Sequence, residues 1–374
     1  MTIENPKPGG AGTIISLQYL RGIAALLVVY FHAALQASGH GAAGSPALPV
    51  FGASGVDIFF VLSGYVMWIT TAGRRTSPAD FLRRRVVRIV PLYWLVTLVA
   101  AAAALLVPGL LRSTRFDAAH LLASLFFIPW PNPGIVAGGE TLTPVVVPGW
   151  TLNMEMFFYV LFALVLPFAA SRRIAGLLLL LALAYLVGNA VASPESPAAF
   201  YGSTIIFEFW LGVMLAALLN REARRGPAAP RARLIPLALC GLWLAGVAAL
   251  VASDWGDVPG PRVVTLGLPA LVIVGSAIAA ERLRAVPHLR WLEELGNSSY
   301  SLYLTHGFVV AALRVLFART PLGAAAGHPV LFVLCAIGAS IVVGLVTYHR
   351  VEKPLVQLAS RRLSGGRRPA TAHT

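Results

Sequence analysis

Six ionisable side chains lie within stretches of the sequence that are otherwise apolar: Arg21, His32, Asp57, Glu155, Glu208 and His306. At the centre of a bilayer a charged side chain costs about 2.5–3.5 kcal/mol on insertion scales, so in a membrane-spanning segment each is a candidate functional group. Such groups must face a polar interior. Among the acids, we expect Glu208 to be a structural hydrogen-bonding group, whereas Asp57 and Glu155 are candidates for a site.

Arg21 and His32 are spaced so that a helix presents both on one face. Eleven residues correspond to three turns plus roughly 20°, and separate the two side chains by roughly 16 Å along the axis. If successive apolar stretches run in opposite directions, Asp57 and Glu155 lie near the depth of His32. The alternative is that His32 only hydrogen-bonds a neighbouring helix.

Arg85 and Arg88 are three residues apart in the basic segment FLRRRVVRIVPLYW and are therefore neighbours on one helical face. A guanidinium group binds phosphate through two parallel hydrogen bonds, so this pair suits a polyanion at the membrane surface. The alternative is an ordinary basic anchor beside a membrane span.

The composition indicates an all-α integral membrane protein. Of the 374 residues, 57% are hydrophobic and 12% are charged, and the mean hydropathy is +0.77, whereas a soluble domain has about 25% charged residues. The apolar runs approach the length that crosses a bilayer, and backbone groups in lipid must pair within a helix. The net charge of +14 is concentrated in short loops, which predicts a lipid bilayer as partner and no nucleic acid.

The apolar runs predict ten transmembrane helices and one shorter helix. The predicted spans are 14–36, 52–71, 89–108, 150–170, 174–191, 200–219, 234–252, 263–280, 298–318 and 329–350. The stretch 119–130 is too short to cross the bilayer and is predicted to be a re-entrant or surface helix. With the N-terminus inside, most of the 29 basic residues fall on the inner side, so both termini are predicted to be cytoplasmic.

The ten spans form one domain between two tails. Residues 1–13 are a predicted cytoplasmic tail, 14–355 a transmembrane domain, and 356–374 a basic, disordered cytoplasmic tail. Neither the two cysteines nor the histidines show the spacing of a disulfide framework or a metal site, so no metal is predicted. The absence of an internal repeat argues against a transporter.

The motifs resemble those of the membrane acyltransferase 3 family over about residues 14–355. LQYLRGIAALLVVYFHA contains the family's arginine, ten residues, histidine signature as Arg21 and His32, and RRRVVRIVPLYW contains its arginine pair. ASGVDIFFVLSGYVMW, VPGWTLNMEMFFYVLF, SYSLYLTH and VEKP follow in the family's order. In appearance the sequence is most similar to rhizobial-type exopolysaccharide O-acetyltransferases.

The resemblance implies an enzyme without a permanently bound cofactor, which uses acetyl-CoA or another acyl-CoA as donor substrate. Its phosphates are expected at Arg85 and Arg88, with Arg21 deeper along the pantetheine path. His32 is expected to act as general base on a hydroxyl, while Glu155 or Asp57 holds the other ring nitrogen. Transient acylation of His32 is an alternative. Further residues expected to line the active site are Ser63, Trp150, Tyr300, Tyr303 and His306.

The expected acceptor is a hydroxyl of an exopolysaccharide, another cell-surface glycan or a lipid-linked oligosaccharide. The expected location is a bacterial-type inner (plasma) membrane, alongside polysaccharide synthesis machinery. One competing hypothesis is a transporter or flippase in which Arg21, His32 and Glu155 form a proton relay. Another is a structural partner within an exopolysaccharide synthesis complex.

Overall fold

The computed structural model describes residues 4–5, 12–38, 48–49, 51–74, 76–107, 114–135, 142–190, 193, 196–223, 235–256, 258–319 and 329–364. Within these ranges the chain is helical apart from loops and one short antiparallel pair of strands, β1 (Glu4–Asn5) and β2 (Gly12–Thr13). The all-α prediction is therefore confirmed except for this strand pair, which lies in the predicted N-terminal tail.

Fourteen α-helices are described in these ranges. In chain order they are α1 Ile15–Ser38, α2 Gly55–Thr71, α3 Pro78–Leu106, α4 Ala118–Leu125, α5 Trp150–Val165, α6 Ala170–Ala190, α7 Pro197–Phe200, α8 Ile206–Ala223, α9 Ile235–Trp255, α10 Leu268–Arg282, α11 Arg290–Asn297, α12 Ser299–Arg319, α13 Pro329–Thr347 and α14 Lys353–Ser364. A 3₁₀ turn at Val147–Gly149 leads into α5, and π-helical turns at Val263–Gly267 and Tyr348–Glu352 lead into α10 and α14.

Eight helices in the described part of the chain are long and apolar enough to cross a membrane, so the chain is a multi-pass membrane protein. The second and sixth predicted spans correspond to the shorter apolar helices Gly55–Thr71 and Ile206–Asn220. The count of ten spans therefore stays a prediction.

Two predicted segments differ in extent from the structure. The stretch 119–130 is helical only as α4, which Asp117 caps by accepting from the His120 N–H at 2.6 Å. It ends where Phe127 takes a left-handed backbone conformation with φ of 60°. Within the predicted C-terminal tail, the described residues 356–364 are helical, because α14 continues from α13 through the π-helical turn and places Arg361 and Arg362 favourably in its last turn.

Helices α2 and α8 pack closely because glycines face the opposite backbone. A Cβ atom on Gly64 would collide with the Phe209 carbonyl, and one on Gly212 with the Val61 carbonyl. Phe209 also stacks on Phe158 of α5, with ring centroids 4.3 Å apart. This buried aromatic contact ties α2, α5 and α8 together and fixes one wall of the site.

Helix α1 packs against α11, α12 and α13. Its approach to α11 is also permitted by a glycine, since a Cβ atom on Gly296 would collide with the Gln18 carbonyl. This packing sets the register of α1 against α12. It brings His32 of α1 to His306 of α12.

Candidate active site

The described part of the chain encloses a cavity of about 680 Å³ between α1, α2, α3, α5 and α12. Its wall includes residues of α2 from Val56 in the first turn to Thr70 in the last, and it continues to Arg74 beyond the helix. At 1.5 Å per residue the part of the cavity along α2 extends over roughly 21 Å of helix axis. A long, narrow substrate is therefore accommodated better than a compact one.

Five arginines line this cavity, and they are concentrated towards one end. Arg74 and Arg84 are exposed at its mouth, and the partly buried Arg21, Arg85 and Arg88 lie further in. Glu155 is the single acidic side chain among the described lining residues. The cavity is thus electropositive, as an anionic substrate requires.

Arg85 and Arg88, which the sequence predicts as a pair, lie in different surroundings. The guanidinium carbon of Arg85 lies 5.5 Å from the ring centroid of Phe81 and 5.9 Å from that of Tyr159. Its Nε has no hydrogen-bond partner among the described residues. Arg85 is therefore held by aromatic rings while its charge is not matched by a direct carboxylate partner.

Arg88, in contrast, forms an ion pair with Glu352 of the π-helical turn before α14. The Glu352 side chain is 1% exposed and also accepts a hydrogen bond of 2.6 Å from Ser301 Oγ. Tyr300 lies against the same arginine, with its ring centroid 5.3 Å from the guanidinium carbon. Because Arg88 and Glu352 are 264 positions apart in the sequence, no local pattern predicts their contact.

Neither carboxylate predicted to hold the His32 ring does so. Glu155 lies in the cavity wall and accepts hydrogen bonds from Ser63 Oγ and the Tyr159 hydroxyl. Asp57 lies away from the cavity and forms two hydrogen bonds with Arg262, at 2.9 and 2.8 Å. Counting residues along antiparallel spans predicts depth but not the direction of a side chain, and both predicted contacts fail for that reason.

The partner of His32 is instead a second histidine. His306 Nε2 lies 3.3 Å from His32 Nδ1, and the ring centroids are 4.9 Å apart. His306 is fully buried and His32 is partly exposed. His32 belongs to α1 and His306 to α12, so the contact between their rings places His306 at the same depth as His32.

The backbone contacts of the two rings define their tautomers. His306 Nδ1 lies 2.7 Å from the Tyr303 carbonyl and His32 Nδ1 lies 2.9 Å from the Val28 carbonyl. A carbonyl oxygen only accepts, so Nδ1 carries the hydrogen in both neutral rings. The one hydrogen on His32 Nδ1 is directed to the Val28 carbonyl at 2.9 Å and is shared with His306 Nε2 at the longer distance of 3.3 Å, and the lone pair of His32 remains on Nε2.

The histidine pair is separated from the cavity by Tyr303, which lines the cavity's apolar end. The Tyr303 ring lies 6.0 Å from that of His306 and 5.8 Å from that of Phe59, measured between centroids. Its hydroxyl donates to the Pro148 carbonyl at 2.7 Å and lies 2.8 Å from Thr151 Oγ1. These bonds fix the side chain between the arginine-lined space and His32.

The other predicted lining residues divide into two groups. Ser63 and Tyr300 line the cavity with Tyr303. Trp150 and His306 are not among the described lining residues, and Trp150 packs edge-on against Phe60, with ring centroids 6.4 Å apart. The active-site roles of both stay predictions. Among the described residues no group of three or more His, Cys, Asp or Glu side chains is arranged to hold a metal ion.

These features define a class: a helical membrane protein with an internal arginine-lined cavity and an imidazole pair beyond the tyrosine at one end of it. The acyltransferase domain family Acyl_transf_3 matches residues 14–349. The chain therefore belongs to this family and is an acyltransferase.

Three relatives show how far the similarity extends. The exopolysaccharide production protein ExoZ of Rhizobium meliloti (strain 1021) is 34% identical over 84% of this chain and 93% of its own length. The acyltransferase MdmB of Streptomyces mycarofaciens is 28% identical over 93% and 92%. The O-acetyltransferase OatA of Staphylococcus aureus (strain NCTC 8325 / PS 47) is 23% identical over 80% of this chain and 52% of its own. No solved structure matches the chain.

Proposed function

We propose that this protein transfers an acetyl or other acyl group from acyl-CoA to a hydroxyl of an exopolysaccharide or related cell-surface glycan. The similarity to ExoZ over nearly the full length of both chains supports the glycan acceptor. The observation that carries the proposal is the arginine-lined cavity leading towards the His32–His306 pair. We further propose that the protein resides in a bacterial inner membrane, with both termini in the cytoplasm.

The donor is proposed to enter at the basic mouth of the cavity. Coenzyme A carries phosphates at one end and a long, uncharged pantetheine arm at the other, which fits a cavity with arginines at one end and apolar residues at the other. Arg74, Arg84 and Arg85 are the best candidates for the phosphates because no carboxylate of the described residues forms an ion pair with them. Arg88 is already paired with Glu352 and contributes to the wall rather than to a free anion site.

His32 is proposed to act as the general base. Its Nε2 takes the proton of the acceptor hydroxyl as the oxygen forms a bond to the thioester carbonyl carbon. The carbon–sulfur bond then breaks, and the thiolate of coenzyme A takes the proton from the imidazolium. His306 replaces the predicted carboxylate, because its Nε2 accepts the His32 Nδ1–H and fixes the tautomer and orientation of the ring.

The experiment compares acyl transfer by wild type, His32→Ala and His306→Ala in membranes matched for protein amount. General base catalysis contributes about 10²–10⁴-fold, so we expect a loss of at least ~100-fold for His32→Ala. His306→Ala should retain acyl-CoA binding but lower the transfer rate and shift its pH profile. The readout is acyl groups on the isolated polysaccharide by mass spectrometry, together with calorimetric binding of acyl-CoA.

His288→Ala is the matched control, because that side chain is 50% exposed and pairs with Glu293 away from the cavity. Wild-type transfer by His32→Ala would reject the base assignment. If the purified protein neither binds nor consumes acyl-CoA, the proposed donor is rejected and the transport hypothesis is favoured.

A further inference from the structure

A second buried polar cluster lies apart from the cavity, where α2, α8 and the π-helical turn before α10 meet. It consists of Asp57 from α2, Glu208 from α8 and Arg262 beside the turn. Asp57 and Glu208 are both 0% exposed. None of the three belongs to the described cavity lining, and none has a role in the acyl transfer proposed above.

Arg262 is committed to Asp57. Its Nε and one terminal nitrogen donate to the two carboxylate oxygens of Asp57, at 2.9 and 2.8 Å. This geometry is the bidentate arrangement that matches a guanidinium to one ionised carboxylate. The charges of Arg262 and Asp57 therefore cancel, and nothing is left to neutralise a second carboxylate.

Glu208 is the second carboxyl group, and no hydrogen-bond donor of the described residues reaches its oxygens. The Val263 N–H, next to Arg262, lies 3.5 Å from Thr204 Oγ1 just before α8, so the first turn of α8, which carries Glu208, lies against the Asp57–Arg262 pair. Neither oxygen of Glu208 has a hydrogen-bond partner among the described residues. Its position is confined by Gly267, where a Cβ atom would lie 2.8 Å from Glu208 Cγ and 3.0 Å from Oε1. A buried ionised carboxylate without a partner is strongly unfavourable.

The charged groups that interact with Glu208 within the described chain are Asp57 and Arg262. Asp254 of α9 interacts electrostatically with Arg262. Its carboxylate is occupied by the backbone N–H groups of Gly52 and Ser54 and by the Ser54 hydroxyl. Two buried carboxyl groups, Asp57 and Glu208, therefore share the positive charge of one guanidinium, that of Arg262.

We propose that Asp57 and Glu208 bind one proton between them at neutral pH, with Glu208 as the acid. The Glu208 O–H then donates to Asp57, whose carboxylate has lone pairs left after binding Arg262. The cluster becomes neutral, and the protonated oxygen of Glu208 gains a partner in Asp57. The shared proton links α8 to α2 and, through Arg262, to the turn before α10. This protonation site is independent of the proposed acyl transfer.

The test compares wild type with Glu208→Gln, whose amide has the shape of the neutral acid and donates to Asp57 at every pH. A proton held in the folded state and released in the unfolded state makes the folded state less favoured as pH rises above about 4.3. We expect the melting temperature of wild type to fall relative to that of Glu208→Gln between pH 5 and pH 9, measured in detergent. Glu293→Gln, on the partly exposed acid that pairs with His288, is the matched control and should not change the pH dependence in this way.

Infrared spectra provide a second readout. We expect a carboxylic acid C=O band in wild type at neutral pH that is missing in Glu208→Gln and present in Glu293→Gln. Parallel melting curves, absence of the band, or failure of Glu208→Gln to fold would each overturn the proposal. A melting temperature that rises with sodium rather than with acidity would also overturn it, because the bound cation would then be a metal ion.

Discussion

Arg85 and Arg88 lie one helical turn apart in α3 but carry their charges in different settings. Arg85 rests on two aromatic rings, whereas Arg88 is paired with a carboxylate that is almost fully buried. Removing one member of a buried ion pair is costly because the other charge loses its partner. The same substitution at the two positions should therefore have different consequences.

We expect Arg85→Gln to weaken acyl-CoA binding without lowering the melting temperature. Arg88→Gln should reduce the free energy of unfolding by about 3–5 kcal/mol, because it leaves Glu352 buried and charged. The measurements are calorimetric acyl-CoA binding and thermal unfolding in detergent.

The double variant Arg88→Gln with Glu352→Gln is the control, and it should recover most of the stability lost in Arg88→Gln. Additive losses in the double variant would contradict the ion-pair explanation. Unchanged binding by Arg85→Gln would contradict its assignment to the donor phosphates.

Much of the site could be predicted from residue types, and its pairings could not. Charges in apolar runs identified Arg21 and Glu155, and a three-residue spacing in a basic segment identified Arg85 and Arg88; all four line one cavity. The partners of Asp57 and Arg88 lie 205 and 264 residues away, so no local pattern reveals them. His306 was identified only as a lining residue, because its contact with His32 depends on the register of α1 against α12.

At the scale of elements, the approach of α2 to α8 is the contact on which both sites depend. One face of α2 lines the cavity with Phe59 and Ser63, and another places Asp57 beside Glu208. The sequence predicted the apolar runs that form these helices because hydrophobicity and length determine membrane insertion. It did not predict their close packing, since a glycine within an apolar run does not show which backbone it faces.

Gly64→Ala and Gly212→Ala test this packing. Each added methyl group meets a carbonyl of the facing helix, so α2 and α8 must separate. We expect a loss of about 1–3 kcal/mol in the free energy of unfolding, as for overpacked interiors. Thermal unfolding of the purified variants measures it.

Gly338→Ala is the matched control, because it is also a helical glycine and a Cβ atom there meets nothing within 4 Å. It should leave stability unchanged or raise it slightly, since alanine favours a helix more than glycine does. Equal losses at all three positions would argue against a specific α2–α8 contact.

At the scale of the whole molecule, the proposed function requires one orientation in the membrane. The mouth of the cavity, with Arg74 and Arg84, must face the cytoplasm, where acyl-CoA is made. The distribution of basic residues predicts the same orientation. It also predicts that Arg115, which precedes α4, lies on the opposite side.

Single cysteines at residues 84, 115 and 361, placed in a chain whose Cys240 and Cys335 are replaced by alanine, test the orientation. A membrane-impermeant thiol reagent should label Arg115→Cys in intact cells, and Arg84→Cys and Arg361→Cys only after the membrane is permeabilised. Labelling of Arg84→Cys in intact cells would place the basic mouth outside. That outcome is incompatible with a cytoplasmic donor.

The position of Tyr303 affects which molecules can react with the bound acyl donor. While its hydroxyl is tied to Pro148 and Thr151, the ring stands between the thioester-sized space and the imidazole pair. On the proposed function, a hydroxyl activated at His32, whether of water or of the acceptor, reaches the donor carbonyl carbon only once this ring has moved. If glycan binding is what moves the ring, hydrolysis of the donor is limited while no glycan is bound.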